Sequence, residues 1–228
     1  MTQKKERPFL NLLINIVIPV AILLKLSKEQ YLGPFYGLVI ALAFPIVYGL
    51  YEVIKEKKYN FLSILGVVSI LLTGGIGLLQ LNNTWLALKE AGVPLLIAIA
   101  VLVSLKTNYP LVKELIYNDS IMNIQKIEKA LEKKKSKGQL EKQLTSASYY
   151  VAGTFVFSSI LNYILAKVLV ISEPGSVAYN AELGKMTALS FPVIALPSTI
   201  LLVIVIFSLV KKIKQLTGLE MEEVFKAK

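Results

Sequence analysis

Met186–Val210, MTALSFPVIALPSTILLVIVIFSLV, contains no charged side chain and stops at Lys211-Lys212. As a helix rising 1.5 Å per residue it would run about 37 Å, enough to cross a hydrocarbon core of about 30 Å. Working outward from it, further apolar stretches lie near residues 9–26, 33–54, 61–81, 86–105 and 144–171. The segments between them alternate in charge. Lys4, Lys5 and Arg7, then Lys55, Lys57 and Lys58, then nine lysines from Lys106 to Lys142, then Lys211, Lys212, Lys214, Lys226 and Lys228 all fall on one side. That side holds twenty of the 25 basic residues; Lys25, Lys28, Lys89, Lys167 and Lys185 fall on the other. Basic residues beside spans resist translocation, so the bias predicts orientation as well as membrane residence. The reading is an all-α, polytopic transmembrane helix bundle, with residues 1–228 as a single transmembrane domain of six spans and both termini cytoplasmic. The first span follows a basic cluster, as a signal peptide would. No small-x-small cleavage pattern follows it, so a retained anchor is expected.

Composition agrees. A chain of 228 residues that is 55% hydrophobic has more apolar side chains than a soluble core of that size can hide. The net charge of +10 sits in short segments beside the spans. An anionic inner leaflet is therefore the expected partner, each nearby Lys or Arg contributing roughly 1 kcal/mol. No nucleic acid is expected, since no nucleic-acid-reading motif accompanies the charge. The chain has neither cysteine nor histidine, so disulfides, thiolate nucleophiles and the usual zinc and haem sites are excluded. No cofactor or metal is expected. A general base would have to be a carboxylate, Lys or Tyr. No acidic residue falls at mid-span, which argues against a proton- or sodium-driven carrier but leaves a site of backbone carbonyls open.

Residues 106–143 form the one sizeable segment outside the spans. Ile121, Ile124, Ile127 and Leu131 recur at spacings of three and four, which predicts a helix with an apolar stripe. Asn118-Asp119-Ser120 reads as its start and Gly138 as its break. Lys126, Lys129, Lys133, Lys134, Lys135 and Lys137 surround the stripe, so the helix is expected to lie on anionic headgroups of the inner leaflet.

Several polar groups inside or beside the spans are candidate sites. Asn11 and Asn15 share a helical face, and with Asn162 they either line a polar path or join neighbouring helices. Glu52, between Tyr51 and Lys55, is expected to face water or a lysine. Gly74, Gly75 and Gly77 mark either a broken helix or a close approach of another segment; no Lys-Ser/Thr follows, so they are no phosphate loop. Lys89 and Glu90 are adjacent, hence about 100° apart on a helix, and need not pair. With Glu182 and Lys185 they form a small outer polar constellation, in a loop expected to continue through Asn180.

Thr73-Gly74-Gly75-Ile76-Gly77, followed by Trp85 to Lys89 and Pro94, resembles the turn of the intracellular septation protein A family. Leu161-Asn162-Tyr163-Ile164-Leu165-Ala166, Val177-Ala178-Tyr179-Asn180 and Leu183-Gly184-Lys185-Met186-Thr187-Ala188-Leu189 resemble that family's last two spans and the loop between them. The whole chain is similar to a set of bacterial six-span inner-membrane proteins akin to that family. It departs from septation protein A in the basic segment 106–143 and in the extended turn Glu173–Gly175. The resemblance implies a multi-pass protein of the bacterial cytoplasmic membrane, acting in cell-envelope maintenance or septation through lipid and partner membrane proteins. The family has no established catalytic residues to carry over.

Two function classes follow. The first is a non-enzymatic envelope protein, resting on the glycine-rich turn, Lys89/Glu90, Asn180/Lys185 and the basic inner helix. The second is a small transporter or lipid-handling, flippase-like protein with a polar path lined by Asn11, Asn15 and Asn162. An intramembrane enzyme ranks behind both, because no nucleophile–base pairing is visible. The topology is checked by fusions after Lys133: green fluorescent protein there should fluoresce and alkaline phosphatase stay inactive, and the opposite pattern would refute it.

Overall fold

The computed structural model describes residues 12–56, 61–119 and 121–225, with the side chains of 52–67 outside that description. Every regular element among the described residues is a helix: α1 (Leu13–Leu26), α2 (Gly33–Glu56), α3 (Phe61–Leu78), α4 (Asn83–Ser104), α5 (Leu111–Ile116), α6 (Ile124–Lys133), α7 (Lys137–Leu169), α8 (Val177–Thr217) and α9 (Met221–Val224). Four of them are long and apolar enough to cross a membrane, namely α2 over Gly33–Tyr51, α4, α7 and α8. The described apolar parts of the expected spans 9–26 and 61–81 are shorter, Leu13–Leu26 and Val68–Leu78. Asn11 and the Glu52 side chain lie outside the described residues. Large apolar side chains such as Leu71, Leu96, Val103, Ile204 and Phe207 stand exposed on these helices. A surface of that kind suits solvation by lipid rather than by water.

The chain groups into two compact units, Met1–Val93 with Ser159–Ile194 and Pro94–Ser158 with Ala195–Lys228. In the first, α1 packs on α2 and on the start of α8, and α2 packs on α3. Tyr179, Leu38, Leu86 and Leu183 form its core. α1 ends where Ser27, buried, donates its hydroxyl to the Ile22 carbonyl. That turn presses on α2 at Gly37, where an added Cβ would overlap Ser27, coming within 2.9 Å of its Cα.

The glycine cluster resolves in favour of close approach. α3 continues as a helix through Gly74, Gly75 and Gly77 to Leu78. A Cβ on Gly77 would meet Leu38 Cδ2 at 2.6 Å and the Tyr179 ring at 3.2 Å, and one on Gly74 would meet Leu42 at 3.0 Å. Gly75 faces open space.

The loop expected through Asn180 and Lys185 is instead helix. Ser176 caps α8 by accepting the Tyr179 N–H at 3.0 Å, which starts the helix well before the apolar run. Asn180 is fully buried and donates to the Pro34 carbonyl at 2.7 Å, tying α8 to the start of α2.

In the second unit the amphipathic helix starts and stops elsewhere than expected. Asn123, not Asn118-Asp119-Ser120, caps α6 by accepting the Lys126 N–H; Ser120 is outside the described residues. α6 ends at Lys134-Lys135, where Lys135 takes a φ of 51°, and Gly138 is the second residue of α7 rather than a break. The stripe also faces inward: Ile127 and Leu131 are fully buried, packed with Ile213, Val210 and Val224 of α8 and α9. α9 is fixed there by Asn123 N–H donating to the Val224 carbonyl and by a Glu220/Glu223 capping box. The lysines at 126, 129, 133, 134, 135 and 137 remain exposed. Nearby, Tyr117 is buried; desolvation first, then the carboxylates of Glu128 and Asp119, push its phenol up to about 12.

Two alanine substitutions separate packing from propensity. Gly37→Ala should lower stability by about 1–3 kcal/mol, because backbone at Ser27 must move. Gly75→Ala should be neutral or stabilising by up to about 1 kcal/mol, since Ala is the better helix former. Thermal unfolding of the purified protein in detergent reads both.

Candidate functional site

Within the first unit, a cavity of about 340 Å³ is lined by residues of α1, α2, α3, α4 and α8. Leu23, Leu42, Ile70 and Met186 are among its apolar walls, and seven polar residues reach it from four different helices: Asn15, Ser69, Thr73, Lys89, Glu90, Thr187 and Ser190. A concave apolar site with a few converging polar groups is the usual form of a small-molecule site.

Lys89 and Glu90 form its centre. They do pair: Lys89 Nζ lies 2.6 Å from Glu90 Oε1, with side-chain exposures of 8% and 23%. Adjacent positions on a helix diverge, so only long side chains curling back along α4 make this possible. Lys89 Nζ also donates to Thr73 Oγ1 at 2.7 Å and approaches the Ser69 carbonyl at 3.5 Å. The three ammonium protons thus have three acceptors, two of them on α3. Thr73 is held for this role because its own hydroxyl donates to the Ser69 carbonyl, 3.1 Å away.

Helix irregularities surround the same cavity. α1 contains π-helical turns at Leu13–Val17 and Ile22–Leu26, and α8 one at Phe191–Ala195. Pro19 and Pro45 themselves line the cavity. A proline has no N–H for the carbonyl four residues back. Pro19 therefore denies an α-helical partner to the carbonyl of Asn15, and Pro94 does so to that of Glu90. Both of those residues line the cavity. π-turns of this kind are frequent at functional sites.

Of the residues singled out in the sequence, the structure brings together Asn15, Lys89 and Glu90. Asn162 is not in the lining and makes an interaction of its own. Gly74 and Gly77 shape the packing behind the cavity, Gly74 against Leu42, which lines it. The outer constellation is divided. Glu182 accepts the Ile171 and Ser172 N–H groups at 2.9 and 2.8 Å and the Ser172 hydroxyl at 2.6 Å, fixing the turn before α8. Lys185 is exposed, and Asn180 is the buried tie to Pro34. Ser69, Thr73, Thr187 and Ser190 were not read from the sequence as site residues. Their signal was present: hydroxyls four apart on α3 and three apart on α8 share one helical face inside otherwise apolar runs.

A second, shallower cavity of about 450 Å³ lies at the start of α4, lined by Asn82, Asn83, Thr84, Lys167, Ser172 and Glu173 among others. Lys167 Nζ donates to Thr84 Oγ1 at 2.8 Å, and the Asn83 amide donates to the Val170 and Ser172 carbonyls. These bonds close the turn on α4.

No family model, curated protein or solved structure matches this chain.

The ion pair is checked by a mutant cycle. Lys89→Met or Glu90→Gln alone strands a partly buried charge and should cost about 3 kcal/mol. The double variant should recover most of that loss, as read by thermal unfolding in detergent; single variants as stable as the parent would show that the pair is not desolvated.

Proposed function

We propose that this is a multi-pass protein of a bacterial cytoplasmic membrane that takes the polar part of an amphipathic or small polar molecule into the Lys89–Glu90 cavity, and so serves cell-envelope maintenance by lipid or solute handling. The single observation carrying the reading is a desolvated ion pair facing a cavity among apolar helices. A buried pair contributes little net stability, because desolvation offsets the Coulomb gain. Ionisable groups inside a membrane domain most often mark a ligand or ion pathway. A lining of seven polar residues among apolar ones favours handling over a purely scaffolding role.

In this reading six spans cross the membrane with both termini inside, and the exposed lysines of α6 and the segment after it meet anionic headgroups of the inner leaflet. Their stripe being packed on α8 and α9, that contact is electrostatic rather than an insertion, and it weakens with salt. The resemblance of the quoted residues to six-span septation-like proteins supports an envelope role.

The test is co-purification. From native membranes, the parent protein should retain a bound amphiphile detectable by mass spectrometry, and Lys89→Met/Glu90→Gln, folded to the same melting temperature, should lose at least about tenfold of it, as expected for loss of one charged hydrogen bond. Equal retention by the two proteins would remove the cavity from the function.

A further inference from the structure

The cavity has a chemical sense, because its charged donor, Lys89, is used up while one oxygen of its charged acceptor, Glu90, is not. All three Lys89 protons are directed at Glu90, Thr73 and the Ser69 carbonyl. The Thr187 hydroxyl donates to the Leu183 carbonyl at 2.9 Å and the Ser190 hydroxyl to the Met186 carbonyl at 2.8 Å. Each hydroxyl has one proton, so what these two can still offer is lone pairs. Glu90 meets Lys89 through Oε1, and among the described residues no donor reaches its other oxygen. Asn15 is the lining amide able to act either way.

From this we infer that the cavity binds a protonated amine: an ammonium group on a small apolar body, with Glu90 as its charged acceptor and the Thr187 and Ser190 oxygens completing its bonds. This rests on the cavity reading above and gives it a substrate class. The count fits, since a primary ammonium carries three N–H donors and the site offers a carboxylate oxygen and two hydroxyl oxygens. The charge fits too. The Lys89–Glu90 pair is neutral overall, and an entering cation shares the carboxylate with Lys89. An entering anion finds no unused ammonium proton, only the uncharged Asn15 amide and Ser69 hydroxyl, and faces the unpaired carboxylate oxygen of Glu90. Leu23, Leu42 and Met186 supply contact for an alkyl portion. The ammonium belongs either to a free amine or to a phosphatidylethanolamine headgroup.

The experiment is calorimetric titration of the full-length protein in phosphatidylcholine nanodiscs, whose lipid has no N–H donor, against n-hexylamine, n-hexanol and n-hexanoate at neutral pH. Empty discs give the partitioning background. Hexylamine should bind, hexanol at least about tenfold more weakly, and hexanoate not detectably. Thr187→Val/Ser190→Ala, which leaves the ion pair in place, should weaken hexylamine about tenfold, and Glu90→Gln should abolish it. Because Glu90→Gln strands Lys89, the hydroxyl variant decides the matter if that protein is unstable. Phosphatidylethanolamine added to the discs will compete with hexylamine if the headgroup is the source and leave it unchanged if the free amine is; either result sustains the ammonium assignment. Hexanol or hexanoate binding as tightly as hexylamine, or hexylamine binding untouched by Thr187→Val/Ser190→Ala, overturns it. Those outcomes leave the cavity reading standing, which falls only if the Lys89→Met/Glu90→Gln protein keeps its amphiphile.

Discussion

A polar atom inside hydrocarbon has no water to bond with, and that single constraint organises this molecule. The backbone meets it by being helical almost throughout. The side chains meet it locally: Ser148, Thr154, Thr187, Ser190 and Thr217 each return their hydroxyl proton to the carbonyl four residues back on their own helix. Other groups reach another segment, as Ser159 does to the Ala91 carbonyl and Asn180 to that of Pro34, while the buried Tyr179 and Ser198 hydroxyls find no partner among the described residues. Hydroxyls satisfied in this way are closed as donors but remain open as acceptors. The chemistry of the cavity is a by-product of the rule that lets the helices exist.

Lys89 and Glu90 are the costly exception. They sit in the second turn of α4, largely shielded from solvent, and are stabilised by one another and by α3. The small residues of α3 are what bring it close. Gly74 and Gly77 admit Leu42, Leu38 and the Tyr179 ring at distances that a side chain would prevent, and Thr73, one residue before Gly74, bonds the lysine. Pro19 of α1 and Pro45 of α2 contribute to the wall, and the π-turns of α1 carry Asn15 and Leu23 into it.

Around α6 and α9 the second unit follows aqueous rules. α6 buries Ile127 and Leu131 against α8 and α9 and turns its lysines outward, as a surface helix of a soluble domain does. A net positive face without an exposed apolar stripe has electrostatic reach only.

The sequence by itself determined the helical class, the long apolar runs, the absence of thiol and imidazole chemistry and the placement of basic residues, because these depend on composition and on a repeat of 3.6 residues. It also exposed Asn15, Lys89 and Glu90 as polar groups out of place. It left open whether Lys89 and Glu90 pair, since adjacent residues diverge on an isolated helix and only the α3 hydroxyl and carbonyl draw the two together. It misplaced Asn180 and Lys185 in a loop, because the signal that makes them helical is one cap, Ser176, and one tie across more than a hundred residues to Pro34. It turned the α6 stripe toward lipid, because periodicity shows that a helix has an apolar face without showing which surface covers it. Which side chains meet, and therefore which protons remain unused in the cavity, was decided by the tertiary structure alone: hydrogen-bond satisfaction depends on neighbours that the order of residues does not name.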